Sequence, residues 1–127
     1  MYLIFDGGNG GVEESKGYGS FKLYDKKGGN IIEQRQEYAF PGTMTSNEAE
    51  YQTLILALSM MHLYHTTPTH LTIEGDSELV RSQVLGLFKV KALHLQPLRE
   101  TVVALLEGIE VTYNHVPRKV VYAVFGH

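Results

Sequence analysis

Apolar residues run from Tyr2 to Phe5 and stop at Asp6, where Gly7-Gly8-Asn9-Gly10-Gly11 takes over, a pattern that predicts a short strand running into a glycine-rich loop. From Tyr18 to Asp25 apolar and polar positions alternate, Lys26 to Asn30 reads as a turn, and Ile31 to Phe40 returns as the partner strand. Pro41-Gly42 closes that hairpin. The period then changes. Thr45 with Glu48 three residues on fits a capping box, opening a helix expected to reach about Tyr64, with Pro68 beyond it. His70 to Glu74 is a further strand, Ser77 to Gly86 a helix, and Leu95 to Leu106 another that Gly108 ends. Ile109 to Val116 alternates as a last strand, and Pro117 opens a short C-terminal segment whose form the pattern leaves undecided. The order β-β-β-α-β-α-α-β predicts a mixed α/β architecture, an antiparallel meander extended by strands reached through helices.

Composition narrows the chemistry. At 127 residues and 43% hydrophobic, the chain is expected to form one globular domain over residues 1–127. No cysteine is present, which excludes disulfides, thiolate metal sites and a thiol nucleophile. The longest apolar run, Leu54 to Met61, is far short of the roughly 20 residues of a membrane span. The first residues lack the basic flank and cleavage site of a secretory signal. A cytoplasmic protein is the expectation, with no membrane and no obligate protein partner. A formal net charge of −3 argues, at first sight, against a nucleic-acid ligand.

Three acids stand in unusual places. Asp6 and Asp76 each end a predicted strand beside glycine, where sites in open α/β sheets form. Glu50 shares a helical stripe with Leu54, Leu58 and Met61, so its carboxylate lies in line with core-facing residues. A carboxylate pointed at a core costs several kcal/mol unless a cation meets it, roughly speaking. No Lys or Arg lies within a helical turn of Glu50. Singly, each acid has a bland explanation: Asp6 as a turn cap, Asp76 as the cap of the helix starting at Ser77, Glu50 as a rim residue. Together they favour a shared hard divalent cation.

Phe5-Asp6-Gly7-Gly8, Thr45-Ser46-Asn47-Glu48-Ala49-Glu50-Tyr51, Gly75-Asp76-Ser77-Glu78-Leu79-Val80 and His115-Val116-Pro117-Arg118 together resemble the ribonuclease HI family, in order and spacing, over nearly the whole chain. The resemblance implies a ribonuclease H-like fold, a five-stranded mixed sheet flanked by helices. It implies hydrolysis of the RNA strand of RNA–DNA hybrids with Asp6, Glu50 and Asp76 as ligands of two Mg²⁺ or Mn²⁺ ions, which activate water and stabilise the leaving oxygen. It brings Gly7, Gly8 and Asn9 to the RNA backbone, Ser46 and Asn47 to the minor groove of the hybrid, and Ser77 to a helix N-terminus near the metals. Discrimination then rests on 2′-hydroxyls rather than on base sequence.

Two departures follow. The family's usual fourth carboxylate has no counterpart, because Lys119 to His127 contains no acid. His127 is the candidate replacement, since imidazole ligates Mn²⁺ and, less well, Mg²⁺. The long basic protrusion of some members is also absent. Lys89 and Lys91 stand in its place as candidate contacts to DNA phosphates, within a stretch from Leu79 to Arg99 that has four cations and no acid. His115 sits in the last strand beside the motif and is assigned no role, and the strand aromatics, Tyr18 among them, read as packing. The missing fourth acid leaves one alternative open: a catalytically weak or inactive nucleic-acid-binding module of the same fold.

Overall fold

The computed structural model describes residues 1–10 and 15–127. Five strands, β1 (Tyr2–Gly8), β2 (Ser15–Tyr24), β3 (Ile31–Met44), β4 (His70–Gly75) and β5 (Glu110–His115), form one sheet in the order β3-β2-β1-β4-β5. The first three are antiparallel neighbours, whereas β4 pairs parallel with both β1 and β5. Among the described residues there are four helices: α1 (Ser46–Tyr64), α2 (Glu78–Val84), α3 (Gln96–Leu105), preceded by a 3₁₀ turn at Leu93–Leu95, and α4 (Arg118–Phe125). This is the mixed α/β architecture that the hydrophobic pattern predicted, with the five-stranded sheet and flanking helices that the resemblance implied.

Side chains alternate across β1, and that alternation assigns the two faces. Leu3 and Phe5 join Phe21, Leu23, Leu54, Leu58, Met61, Leu71 and Ile73 in the main core, beneath α1. Tyr2 and Ile4 point the other way, against Val121 and Phe125 of α4. Asp6 continues the Tyr2–Ile4 row, so it emerges on the α4 side at the strand's end. Helix α1 starts as expected: Thr45 Oγ1 accepts from the Glu48 N–H at 3.2 Å, and the Glu48 carboxylate accepts from the Thr45 N–H at 3.1 Å.

Several boundaries differ from the sequence expectation, β2 among them, which begins at Ser15 rather than Tyr18. Strand β1 runs on through Gly7 and Gly8, paired with Gly19 and Tyr18, so the loop starts two residues late; Gly11, its expected end, lies outside the described residues. Strand β3 passes through Pro41-Gly42 to Met44. Because β3 is an edge strand, the N–H that proline lacks can be spared by the ladder. Helix α2 ends at Val84, where Leu87 and Phe88 both donate to Ser82 O and fold the chain back. The segment after Pro117, undecided from pattern, is a two-turn helix, with Val121 and Phe125 seated on the sheet.

Candidate metal centre and the cleft above it

Strand ends and helix starts bring the three acids together. Asp6 leaves β1, Asp76 follows β4 one strand away, and Glu50 projects from the first turns of α1. Carboxylate oxygens of all three lie within 4.8 Å of one another. Asp6 is 1% and Glu50 6% exposed, and Asp76 is half-buried. Capping fixes the Asp76 turn, because Ser77 Oγ accepts from the Val80 N–H at 3.2 Å and His115 Nε2 lies 3.1 Å from the Asp76 carbonyl oxygen.

Burial is the largest force on the carboxyls of Asp6 and Glu50, followed by the charges of their neighbours. Glu50 is held well above the usual carboxylate range by desolvation, then by the charges of Asp6 and Asp76, although the Gly7 N–H donates to it. Asp6 is raised by desolvation and by Asp76, against the opposing pull of Arg118 and His127. Glu50 Oε2 is buried with no hydrogen-bond partner. A buried, unpartnered oxygen in a three-carboxylate set matches the needs of a hard divalent cation, which takes oxygen ligands and offsets their repulsion.

Two side chains from the C-terminal segment, Arg118 and His127, reach the cluster. Arg118 Nη1 donates to both oxygens of Asp6, at 3.1 and 3.0 Å, and to Asp76 Oδ2 at 3.1 Å. His127 Nδ1 lies 2.8 Å from Asp6 Oδ2. Over the acids opens a cleft of about 480 Å³ lined by Gly7, Gly8, Asn9, Gly10, Tyr18, Ser46, Glu50, Asp76 and Arg118.

Of the residues singled out from sequence, Asp6, Glu50 and Asp76 meet, His127 touches Asp6, and Gly7, Gly8, Asn9 and Ser46 line the cleft. Asn9 Nδ2 donates to Met44 O at 3.1 Å, which ties the loop to the end of β3. Ser77 caps α2 beside Asp76, while Asn47 lies one residue beyond the cleft wall. Lys89 borders a separate recess of about 290 Å³ with Phe88, Gln96 and Arg99, and Lys91 is exposed nearby. Sequence reasoning missed two residues. Arg118 ends the motif His115-Val116-Pro117-Arg118, but its partners Asp6 and Asp76 lie far off in sequence. Tyr18 was expected to be packing; instead it is partly exposed in the cleft, its ring edge-on to His127 at 5.1 Å. The alternation that sends Ser20 and Lys22 to the α4 face sends Tyr18 there too, which was the available signal.

The order β3-β2-β1-β4-β5 with acids at the ends of β1 and β4 and on α1 defines a ribonuclease H-like protein. The family described as reverse transcriptase-like, which has this fold, matches residues 7–124, and the chain belongs to it. Among solved structures, the chain is 28% identical to ribonuclease H1 from the halophilic archaeon Halobacterium salinarum, with a TM-score of 0.81 over 94% of this chain and 86% of that one. It is 27% identical to an N-terminal ribonuclease H domain from Mycobacterium tuberculosis, with a TM-score of 0.80 over 94% and 90% of the two chains. A compost-derived ribonuclease H1, solved with an RNA/DNA hybrid, shares the fold at 24% identity and a TM-score of 0.82, covering 94% of this chain and 86% of that chain.

Proposed function

We propose that this chain is a metal-dependent endonuclease that hydrolyses the RNA strand of RNA–DNA hybrids. The carrying observation is the meeting of Asp6, Glu50 and Asp76 within 4.8 Å, with Glu50 Oε2 buried and unpartnered, at the floor of an open polar cleft. A pure binding module gains nothing from gathering three mutually repelling carboxylates, two of them buried. The likeness to ribonucleases H from an archaeon and a bacterium, each above 25% identity, supports the same reading.

Asp6, Glu50 and Asp76 would hold two Mg²⁺ or Mn²⁺ ions, with His127 in the fourth position. When bound, such ions supply an activated water and stabilise the charge developing on the leaving oxygen. The chain's own residues do the rest. Gly7, Gly8 and Asn9 offer a low wall against which a sugar–phosphate backbone can lie closely. Ser46, with Asn47 beside it, presents hydrogen-bonding groups to 2′-hydroxyls. Arg118, 58% exposed on the cleft rim, can leave the carboxylates for a phosphate. Lys89 and Lys91 would meet phosphates of the DNA strand outside the cleft. The reading takes residues 1–127 as one working domain, acting in the cytoplasm without an obligate protein partner.

End-labelled RNA–DNA hybrid, duplex RNA and duplex DNA, each incubated with Mg²⁺ or Mn²⁺, test the proposal. Cleavage confined to the RNA of the hybrid and abolished in Asp76→Asn is expected. Hybrid binding without cleavage would favour the module, for which the lack of an acid from Lys119 to His127 argues; cleavage of duplex DNA would refute both.

A further inference from the structure

The imidazole of His127 is held from behind as well as in front. Opposite the Nδ1 contact to Asp6, its Nε2 lies 2.6 Å from Ser20 Oγ, and the same oxygen accepts the Glu37 backbone N–H at 2.8 Å. Ser20 is fully buried in β2. Glu37 is the one non-glycine residue with positive φ, +50°, among the described residues. It sits in a bulge: Gly19 pairs with Tyr38 and Phe21 with Arg35, which leaves Gln36 and Glu37 both opposite Ser20. The bulge turns an N–H that a regular ladder would use on backbone toward a side chain instead.

The same stretch tethers the end of α4. Gln36 Nε2 donates to Phe125 O at 2.8 Å and Lys22 Nζ to Val124 O at 3.2 Å, two carbonyls that the helix leaves without internal partners. Gly126, at φ +79°, then turns the chain so that His127 comes back over β2. Tyr18 meets the imidazole edge-on and Phe125 stacks on it at 5.8 Å.

We propose that Ser20, anchored by the Gln36–Glu37 bulge, is a positioning residue that aims His127 at the acidic cluster; the proposal rests on the reading of that cluster as a metal centre. A hydroxyl suits this task because it both donates and accepts. With Nδ1 protonated toward Asp6, the Ser20 hydroxyl donates to bare Nε2. With Nδ1 bare, as a ligand nitrogen must be, Nε2–H donates to Ser20 Oγ. The contact survives either tautomer, and alanine can make neither form of it.

Nitrogen-resolved NMR of the histidine rings in the metal-free protein, with His127 assigned from His127→Gln, is to be combined with Mn²⁺ titration by electron paramagnetic resonance. Ser20→Ala is expected to shift the Nε2 resonance toward that of a solvent-exposed imidazole and to weaken Mn²⁺ binding about tenfold. Ser20→Thr, which keeps the hydroxyl, restores both. A merely structural role would lower the thermal midpoint without moving the His127 nitrogens. Unchanged nitrogens in Ser20→Ala overturn the proposal, as does Mn²⁺ affinity that falls in His127→Gln but holds in Ser20→Ala. If Ser20→Ala moves the nitrogens while neither variant changes Mn²⁺ binding, the positioning stands and His127 fails as a ligand.

Discussion

Gly7 and Ala49 meet backbone to backbone: a β-carbon on Gly7 would stand 2.6 Å from the Ala49 carbonyl oxygen and 2.8 Å from Thr53 Oγ1. Each of these residues is the chain neighbour of a cluster acid, Asp6 before Gly7 and Glu50 after Ala49. Their contact therefore sets the distance between the two carboxylates.

Gly7→Ala is expected to push α1 off β1. Backbone cannot yield as a flexible side chain can, so the cost should reach about 1 to 3 kcal/mol by urea denaturation, the range of overpacked cores. Mn²⁺ affinity should fall with it. Gly8→Ala is the control, since its β-carbon would meet the far end of Tyr18, at 3.1 Å from the hydroxyl, and that ring can move. Equal effects of the two substitutions would refute this account of the packing.

The buried acids make metal-free stability depend on pH. Asp6 and Glu50 are raised in the folded state, chiefly by desolvation. A raised acid contributes stability that is fully present below its unfolded value, near 4, and lost as pH climbs through the folded value. Glu50→Gln removes one such loss. In EDTA the variant should therefore exceed wild type in stability by about 1 kcal/mol at pH 8, with the gap closing toward pH 4. Added Mn²⁺ should reverse the order at pH 8 by stabilising wild type alone. A variant no more stable than wild type at pH 8 contradicts the reading that burial disfavours the ionised Glu50 carboxylate in the metal-free fold.

How much of this was legible in sequence depended on the range of the interaction. Capping, strand period and the placement of Asp6, Glu50 and Asp76 are local properties, readable from neighbours within a few residues. The capping box at Thr45 and the buried stripe Glu50–Leu54–Leu58–Met61 stand as the pattern predicted. What escaped depends on contacts across the chain. Pro41 looked like a terminator because nothing local shows that its strand is an edge. Helix α4 escaped because its buried side rests on only a few apolar contacts, Val121 and Phe125 meeting Tyr2 and Ile4 from more than a hundred residues away. Arg118 was overlooked for the same reason: its partners are Asp6 and Asp76, and no local signal links them.

Arg118 competes with any cation for the cluster. Its guanidinium spans Asp6 and Asp76 in a partly exposed setting, where ion pairs are worth roughly 0.2 to 1 kcal/mol each. Removing it returns those oxygens to the solvent and the metal. Arg118→Ala should thus tighten Mn²⁺ binding up to about fivefold by calorimetry in the absence of substrate, while weakening hybrid cleavage. Weaker Mn²⁺ binding in the variant would show that the guanidinium organises the carboxylates rather than competing for them.

Lys89 and Lys91 test the reach of the substrate beyond the cleft. They stand on the exposed connection after α2, beside Phe88 and Arg99, in a stretch from Leu79 to Arg99 that contains no acid. The protein as a whole carries a net charge of −3, so hybrid affinity has to come from local patches and from bound cations rather than from a global field. If both lysines meet phosphates, the double change to alanine should lower hybrid affinity about equally for all sequences. It should also reduce the slope of log affinity against log salt by about 0.9 per lost duplex phosphate contact, or about 1.8 for the pair. The readout is fluorescence anisotropy with labelled hybrid from 50 to about 200 mM salt, in Ca²⁺ to suppress turnover. A lower affinity with an unaltered slope would place the lysines in folding or loop geometry, and an unaltered affinity would confine the hybrid to the cleft.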